Sequence, residues 1–192
     1  MSGVLPERAI SVHVAQTDAE REACYALRYR VFIEELKGEA PTADHHRRIY
    51  RVAEDDSATQ LYARCGDDLI GTMRLHHGAT SELPLDFREG CDLDRFLPDT
   101  PIGQMMTIGH LAIEKGQRGG PAIVALFQGC FRLVMENHPD TRLVFIIARD
   151  DPKLIALYRM VGFRPVDPNK RVQLDVGPCL PMFVKIAAAI AV

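Results

Sequence analysis

The most restrictive feature of the sequence is a continuous apolar run, L-V-F-I-I-A, at residues 143–148. A run this short, unbroken and rich in β-branched side chains is typical of a strand buried on both faces. A second strand is predicted at residues 105–113, and a strongly apolar helix at 121–137 lies between the two. A helix that crosses between two core strands predicts a mixed α/β fold.

Local polarity patterns and turn residues predict the other elements. These are a strand at 10–14, a helix capped at Thr17 or Asp18 and fading by Gly38, a hairpin of 60–64 with 69–75, a helix at 152–161, and closing strands at 172–174 and 182–186. Residues 37–51 are polar and are interpreted as a mobile loop, and residues 80–100 as irregular with a helical turn near Leu93. The apolar tail I-A-A-A-I-A-V is expected to finish or follow the last strand.

The bulk composition favours one globular domain spanning residues 1–192. Hydrophobic residues make up 47% and charged residues 26%, which is ordinary for a globular protein. The formal net charge of -3 gives no general attraction to nucleic acid or to an anionic membrane. The first residues lack the long apolar run of a secretory signal, and no apolar stretch is long enough to span a membrane. We therefore expect a cytoplasmic protein without integral membrane contact.

The cysteines and histidines do not predict a metal site. Five cysteines are present, with neither a C-x-x-C pair nor zinc spacing, and are interpreted as idle thiols in a reducing compartment. His76 and His77 are adjacent on a predicted strand and would point to opposite faces. Asp55 and Asp56 could bind the amine of a substrate, although a solvated loop end is the simpler interpretation. No metal is predicted.

A glycine-rich loop at residues 114–120, E-K-G-Q-R-G-G, joins the predicted strand at 105–113 to the following helix. Unpaired backbone N–H groups at a helix start point outward at the positive end of the helix dipole, and a phosphate group fits there. Glycines allow a close approach, and Arg118 adds a charge. The loop therefore suggests a phosphate site, the alternative being a glycine-rich connection that binds nothing.

Two motifs together resemble those of the GNAT acyltransferase superfamily, and the resemblance covers nearly the whole chain. The first is Q/R-x-x-G-x-G/A at residues 117–122, and the second is Y-x-x-x-G-F at residues 158–163. The resemblance implies a single GNAT-like domain with a twisted mixed sheet that splays at its fourth and fifth strands. It also implies a pyrophosphate loop formed by Gln117, Arg118, Gly119, Gly120, Pro121 and Ala122.

The same resemblance implies further roles. The backbone of Leu111, Ala112 and Ile113 would pair with the pantetheine amides of coenzyme A or of an acyl-carrier protein. Tyr158 would protonate or hydrogen-bond the departing thiolate, and Asp151 stands in the donor site where many members have asparagine.

The N-terminal half is similar to the acyl-homoserine-lactone synthases and the related N-acyl amino acid synthases. Arg28 and Phe32 match R-x-x-x-F, and the hairpin matches G-x-x-R-L through Arg74. Thr107 and His110 stand where the lactone synthases have E-x-x-R, and Gly38 replaces their tryptophan, so a related acyltransferase with another amine acceptor is expected. Arg28, Phe32, Arg74 and Thr107 would then bind the acceptor. Ordinary surface ion pairing is the alternative for the two arginines.

Acyl transfer to an amine needs a neutral nucleophile, donors for the oxyanion and a proton for the thiolate. His110 is the candidate base, with a core histidine as the alternative. Regular pleating would place Thr107 on the opposite face from His110. The backbone N–H near Ala112 or Ile113 is the candidate oxyanion donor. Four residues are expected to set acyl-chain length, namely Met105, Met106, Phe127 and Met182.

The prediction is therefore an N-acyltransferase that moves an acyl group from acyl-CoA or acyl-carrier protein to a small-molecule amine such as an amino acid or its derivative. No nucleic-acid partner is expected. One alternative is a non-catalytic module of the same fold that binds an acyl thioester or a protein. Another is an N-acetyltransferase that uses acetyl-CoA on a protein or a small amine.

Overall fold

A computed structural model describes residues 9–186 of the chain. The sequence predictions for the first eight residues and for the apolar tail beyond Ile186 lie outside this range. The strands are β1 Ile10–Val14, β2 Thr59–Cys65, β3 Asp68–His77, β4 Met105–Ile113, β5 Leu143–Arg149, β6 Arg164–Pro165, β7 Val172–Leu174 and β8 Gly177–Lys185. The helices are α1 Asp18–Arg28, α2 Leu85–Gly90, α3 Pro121–Asn137 and α4 Pro152–Met160. Within residues 9–186, no helix is both long and apolar enough to cross a membrane.

The strands form one mixed sheet in the order β1-β2-β3-β4-β5-β8-β6, with β7 paired to β8. Only β4 and β5 are parallel among the described neighbours, and α3 makes the crossover between them. Ile146 packs in a large apolar cluster that includes residues of α3 and α4, whereas the adjacent Phe145 packs in a second cluster with Phe87 of α2. The continuous apolar run is therefore buried on both faces, and the predicted mixed α/β fold is confirmed.

Strands β4 and β5 separate after a short paired region. Their ladder runs from Met105 opposite Leu143 to Ile108 opposite Ile146 and then ends, although both strands continue. On its other edge β4 stays paired with β3 as far as Ile113. The backbone of β4 after Ile108 therefore has one edge without a strand neighbour, which is the splay that the GNAT resemblance implied.

A bulge at His110 breaks the pleat of β4. His110 has φ 49°, in the left-handed region, and the register with β3 shifts between Thr72 and Arg74. Such a bulge inserts an extra residue and bends the strand. Thr107 pairs with His76, two residues along β3 from Arg74, and His110 also lies near Arg74. The regular pleating that would have placed Thr107 and His110 on opposite faces is therefore absent.

The first helix changes character at its C-terminal end. Of the two predicted caps, Thr17 is the N-cap and forms a capping box with Glu20, but a π-helical segment, Tyr29–Glu35, continues α1. Gly38 then approaches backbone closely, because a Cβ there would lie 2.9 Å from the carbonyl oxygens of Phe32 and Asp175. This contact explains why a bulky residue is excluded at position 38.

Two regions are more ordered than the sequence indicated. The stretch interpreted as a mobile loop contains a bridge between Asp44 and Ile49, and it buries Tyr50. The irregular stretch after β3 contains α2, which was not predicted, and the expected helical turn near Leu93.

Candidate active site

A cavity of about 830 Å³ passes through the gap between β4 and β5. We call the part lined by Arg118, Gly119, Leu157 and Tyr158 the loop end, and the part lined by Glu54, Arg74, Asp86 and His110 the arginine end. The apolar side chains Ile108, Ile146 and Ile147 line the passage between the two ends. The cavity therefore connects the glycine-rich loop with the charged groups beside the hairpin.

The glycine-rich loop places backbone amides at the loop end. Gly119 has φ 72°, a conformation that glycine adopts without strain, and Gly120 precedes α3 without any side-chain cap. The amide of Gln117 donates to Glu114, whereas those of Arg118, Gly119 and Gly120 donate to no backbone group of residues 9–186. Pro121 has no N–H, and Ala122 is buried in the first turn of α3. The amides of residues 118–120 are therefore free to bind an anion.

Arg118 does not contribute a free charge to the loop. Its Nη2 lies 2.6 Å from Glu35 Oε2, and its Nε donates to the carbonyl oxygen of Ile113 at 2.9 Å. A second pair, Arg30 with Glu114, also joins the π-helical segment to this loop. The loop is therefore held against the continuation of α1 by two ion pairs.

Tyr158 lies at the loop end within an aromatic cluster. Its ring makes edge contacts with Phe127 and Phe163, at centroid distances of 6.0 and 5.9 Å. Burial raises the pKa of Tyr158 well above its usual value. The hydroxyl is therefore protonated at neutral pH and can act as a hydrogen-bond donor.

The other residues predicted for the donor site do not all line the cavity. Leu111 and Ile113 line the cavity, whereas Ala112 is fully buried against Leu27 and Val31. Asp151 lines the cavity and also caps α4, with Oδ1 accepting from the backbone of Lys153 and Leu154. Those backbone bonds hold the pKa of Asp151 below its usual value.

Arg28 and Arg74 form a buried cluster with Asp55, so the alternative of surface ion pairing is wrong for both. Arg28 is 0% exposed, and its Nη1 donates to both carboxylate oxygens of Asp55, at 2.8 and 2.9 Å. Its Nη2 donates to Gln60. Arg28 does not line the cavity, and it connects α1 to the segment before β2. Asp55 is correspondingly buried rather than at a solvated loop end.

Arg74 is buried without a hydrogen-bonding partner. It is 2% exposed, it lines the cavity, and neither its Nε nor its Nη1 makes a hydrogen bond among residues 9–186. The nearest carboxylate oxygens are those of Asp55 at 3.7 Å and Glu54 at 4.0 Å, both beyond hydrogen-bond distance. A buried guanidinium with free N–H groups is ready to receive an anion from the cavity.

His110 lies between aromatic rings at the arginine end. Its ring centroid is 5.9 Å from that of Phe32 and 5.4 Å from that of Tyr50. Burial, with repulsion from Arg28 and Arg74, holds the pKa of His110 well below its usual value. The imidazole is therefore neutral at pH 7.

The sequence did not identify several residues of the arginine end. Tyr50 donates to Asp175 Oδ2 at 2.5 Å. The carboxylates of Asp175, Glu54 and Asp86 line this end of the cavity, and we call them the acidic wall. They come from three separate segments of the chain, and no local motif marks any of them. Of the residues expected to bind an acceptor, Phe32 lines the cavity, whereas Thr107 is fully buried and has an unpaired hydroxyl.

The residues expected to set chain length do not line the cavity. Met106, Phe127 and Met182 belong to the large apolar cluster, and Met105 belongs to the second cluster. That prediction is wrong, because apolar content alone does not distinguish core residues from cavity walls. Within residues 9–186, no group of three or more candidate ligands could hold a metal ion.

Comparison with known proteins places this geometry in a family. The chain aligns with the structure of FeeM, an N-acyl amino acid synthase from uncultured soil microbes, at 17% identity and TM-score 0.70, over 92% of this chain and 91% of that one. It aligns with BjaI, a CoA-dependent acyl-homoserine lactone synthase with bound SAM and isopentyl-CoA, at 16% identity and TM-score 0.71, over 93% and 84%.

A third alignment is with an N-acetyltransferase structure from Lactobacillus plantarum, at 19% identity and TM-score 0.64, over 93% and 99%. No curated protein sequence matches significantly. The family model described as N-acyl amino acid synthase FeeM matches residues 23–183. The chain therefore belongs to the FeeM family of N-acyl amino acid synthases and is an acyltransferase.

Proposed function

We propose that this protein transfers an acyl group from an acyl thioester to the amine of a small molecule such as an amino acid or its derivative. The observation that carries the proposal is the cavity that joins free loop amides and Tyr158 to a buried Arg74 whose Nε and Nη1 make no hydrogen bond among residues 9–186. One end suits a phosphate and a thiolate, and the other suits an anionic acceptor. The reaction would take place between them, where β4 has no strand neighbour.

The donor would bind at the loop end. The amides of residues 118–120 and the N-terminus of α3 would receive the pyrophosphate of coenzyme A or the phosphate of carrier-bound phosphopantetheine. The open edge of β4 would pair with the pantetheine amides. The isopentyl-CoA bound to BjaI, which has the same fold, supports coenzyme A as the carrier.

In the reaction, the amine nitrogen attacks the thioester carbonyl, the C–N bond forms and the C–S bond breaks. The amine gives up a proton, and the departing thiolate takes one. Tyr158 would donate a hydrogen bond to that thiolate, since its phenol is protonated at neutral pH. The backbone N–H near Ala112 or Ile113 remains the candidate donor to the oxyanion.

His110 would accept the amine proton, directly or through water. In the structure without substrate its pKa is held low by burial and by Arg28 and Arg74. An acceptor carboxylate bound on Arg74 would offset part of this repulsion and strengthen the base. Phe32 would contact the acceptor, and Arg28 would act indirectly by positioning Asp55.

The test is thiol release by the purified protein with a series of acyl-CoA and acyl-carrier-protein thioesters against a panel of amines. We expect turnover that depends on both substrates and an amide product identified by mass spectrometry. Failure of every thioester either to bind or to react, with the protein folded, would contradict the proposal. Thioester binding without transfer would favour the non-catalytic module.

A further inference from the structure

The arginine end contains more negative charge than a simple amino acid requires. Arg74 lines the cavity and has two buried nitrogens without a hydrogen-bond partner among residues 9–186, whereas Arg28, whose Nε also lacks one, does not line the cavity and is neutralised by Asp55. Three carboxylates, those of Glu54, Asp86 and Asp175, line this end of the cavity, besides Asp151 at the start of α4. A neutral amino acid would supply one carboxylate for Arg74 and one ammonium. Its single ammonium would neutralise only one of the three carboxylates, so negative charge would remain in excess at this end.

One of the three carboxylates is already committed to a protein donor. Asp175 accepts from the Tyr50 hydroxyl at 2.5 Å. The side chain of Glu54 makes no hydrogen bond within residues 9–186, and its contact with Arg74 is 4.0 Å. Asp86 accepts through Oδ1 from the backbone of Phe87 at 2.9 Å, and its Oδ2 has no donor in the described part of the chain. Glu54 and Asp86 therefore have acceptor capacity that faces the cavity.

Asp86 and Glu54 are both exposed to solvent in the ligand-free protein, and an acceptor bound in the cavity would cover them. The protein atoms around the Asp86 carboxyl already raise its pKa, and the attraction of Arg74 only partly opposes that effect. A carboxylate in this setting is stabilised by a cation that donates hydrogen bonds. The wall thus favours a ligand that brings N–H donors and positive charge.

We propose that the acceptor is an amino acid whose side chain carries a second N–H cation, an ammonium or a guanidinium. This inference rests on the proposed acyl transfer. The carboxylate of the acceptor binds Arg74, and its cationic side chain binds between Glu54 and Asp86. A Cβ built on Gly109 would lie 3.7 Å from Arg74 Nε, at the point where β4 leaves β5. A carboxylate on Arg74 therefore places the adjacent α-amine beside the gap that the thioester would occupy.

The charge pattern also separates this class from other acceptors. A sulfonium, as in S-adenosylmethionine, is a cation but donates no hydrogen bond to Glu54 or Asp86. A neutral side chain would leave both carboxylates desolvated and unpaired, and sites with buried polar groups reject ligands that leave them unpaired. A diamine without a carboxylate would leave Arg74 unpaired.

The experiment compares acceptors with the full-length protein at a fixed, saturating acyl-CoA. The amines are L-ornithine, L-lysine and L-arginine, their neutral counterparts L-norvaline, L-norleucine and L-citrulline, the diamine putrescine, L-tyrosine and S-adenosylmethionine. We expect kcat/KM to favour each cationic amino acid over its neutral counterpart by at least about tenfold. Equal use of L-norvaline or L-tyrosine, or a preference for S-adenosylmethionine, would overturn the inference while leaving acyl transfer intact.

Variants test which carboxylates recognise the cationic side chain of the acceptor. Glu54→Gln and Asp86→Asn should each reduce the ornithine-to-norvaline ratio of kcat/KM by about tenfold. Glu89→Gln is the matched control, because Glu89 lies on the same short helix as Asp86 but does not line the cavity, and it should keep the wild-type ratio. An unchanged ratio in both Glu54→Gln and Asp86→Asn would also overturn the inference.

A binding measurement separates failure of this inference from failure of the proposed function. Calorimetric titration of the wild-type protein with L-ornithine and L-norvaline requires no turnover. Tighter binding of L-ornithine, lost in Asp86→Asn, would support the site even if no thioester reacted. Equal or absent binding of L-ornithine would contradict it, whatever the thioester assay gives.

Discussion

At the scale of single residues, Tyr158 is placed to act as a hydrogen-bond donor. A phenol is already protonated at neutral pH and burial raises its pKa further, so Tyr158 would donate a hydrogen bond to a departing thiolate while keeping its proton until the transition state. We predict that Tyr158→Phe lowers kcat by about 10- to 100-fold, with little change in KM, because the ring packing is kept. Thiol release measures this. Tyr29→Phe is the control, since the Tyr29 hydroxyl contacts His45 outside the cavity, and it should retain full activity.

Asp55 is the residue on which the buried charge cluster depends. Its removal leaves Arg28 without its carboxylate and withdraws the negative charge nearest to Arg74. We predict that Asp55→Asn lowers the free energy of unfolding by about 3–5 kcal/mol, since a buried charge then lacks its partner. The adjacent Asp56→Asn should cost no more than about 1 kcal/mol, because Asp56 pairs with Arg51 at the surface. Urea unfolding measures the free energy of unfolding of each variant. Equal losses for Asp55→Asn and Asp56→Asn would contradict the role of Asp55 as the partner of a buried charge.

At the scale of elements, the loop before α3 requires glycine at position 119 but not at position 116. Gly119 has φ 72°, whereas Gly116 has no positive φ and no neighbour within 4 Å of a built Cβ. We predict that Gly119→Ala costs about 1 kcal/mol of stability and raises the KM for acyl-CoA several-fold, because the left-handed backbone is strained. Gly116→Ala should leave both the stability and the KM for acyl-CoA near wild type. Steady-state kinetics with both variants measure the KM, and an unchanged KM in Gly119→Ala would indicate that the loop binds nothing.

The end of β3 is joined to the end of α3 by two stacked imidazoles. His77 and His138 have ring centroids 3.8 Å apart, and His77 hydrogen-bonds Thr141 at 2.9 Å. Burial, with repulsion from His138, lowers the pKa of His77 to about 4. The unfolded chain therefore binds a proton at a higher pH than the folded chain, and stability is lost as the pH falls from about 6.5 towards 4.

We predict that His77→Gln reduces the loss of unfolding free energy between pH 7 and pH 5 by about 1–2 kcal/mol. The exposed His46→Gln is the control and should keep the wild-type pH dependence. Urea titrations at the two pH values measure the difference. A His77→Gln protein with the wild-type slope would show that His77 titrates normally in the folded state.

At the scale of the whole molecule, the cavity connects both halves of the sheet, so a bound donor should stabilise the entire fold. We predict that coenzyme A at about 100 times its Kd adds about 2.7 kcal/mol to the free energy of unfolding, or about 5–10 °C in Tm for a chain of this size. Differential scanning fluorimetry over a range of concentrations measures the shift. Adenosine, which lacks the pyrophosphate, should produce a much smaller one, and equal shifts would contradict binding through the loop amides.

Contiguous patterns in the sequence were enough to predict the local elements and the glycine-rich loop. The run at residues 143–148, the glycines before α3 and the Y-x-x-x-G-F helix are each contiguous, so backbone preference and apolar periodicity make them recognisable. The same is true of the crossover between β4 and β5, which follows from element order alone. These features were sufficient to predict the mixed α/β fold, whereas the separation of its two central strands was predicted only from the resemblance to the GNAT superfamily.

The arginine end depends on long-range contacts that no contiguous pattern predicts. Tyr50, Arg74, Asp86 and Asp175 lie far apart in the chain, and sheet pairing together with the bulge at His110 brings them to one cavity. The burial of Arg28 and Arg74 also depends on partners supplied by other segments, so the two arginines could not be distinguished from surface residues in advance. Long-range packing sets the solvation and charge balance of such groups, and no local pattern encodes it.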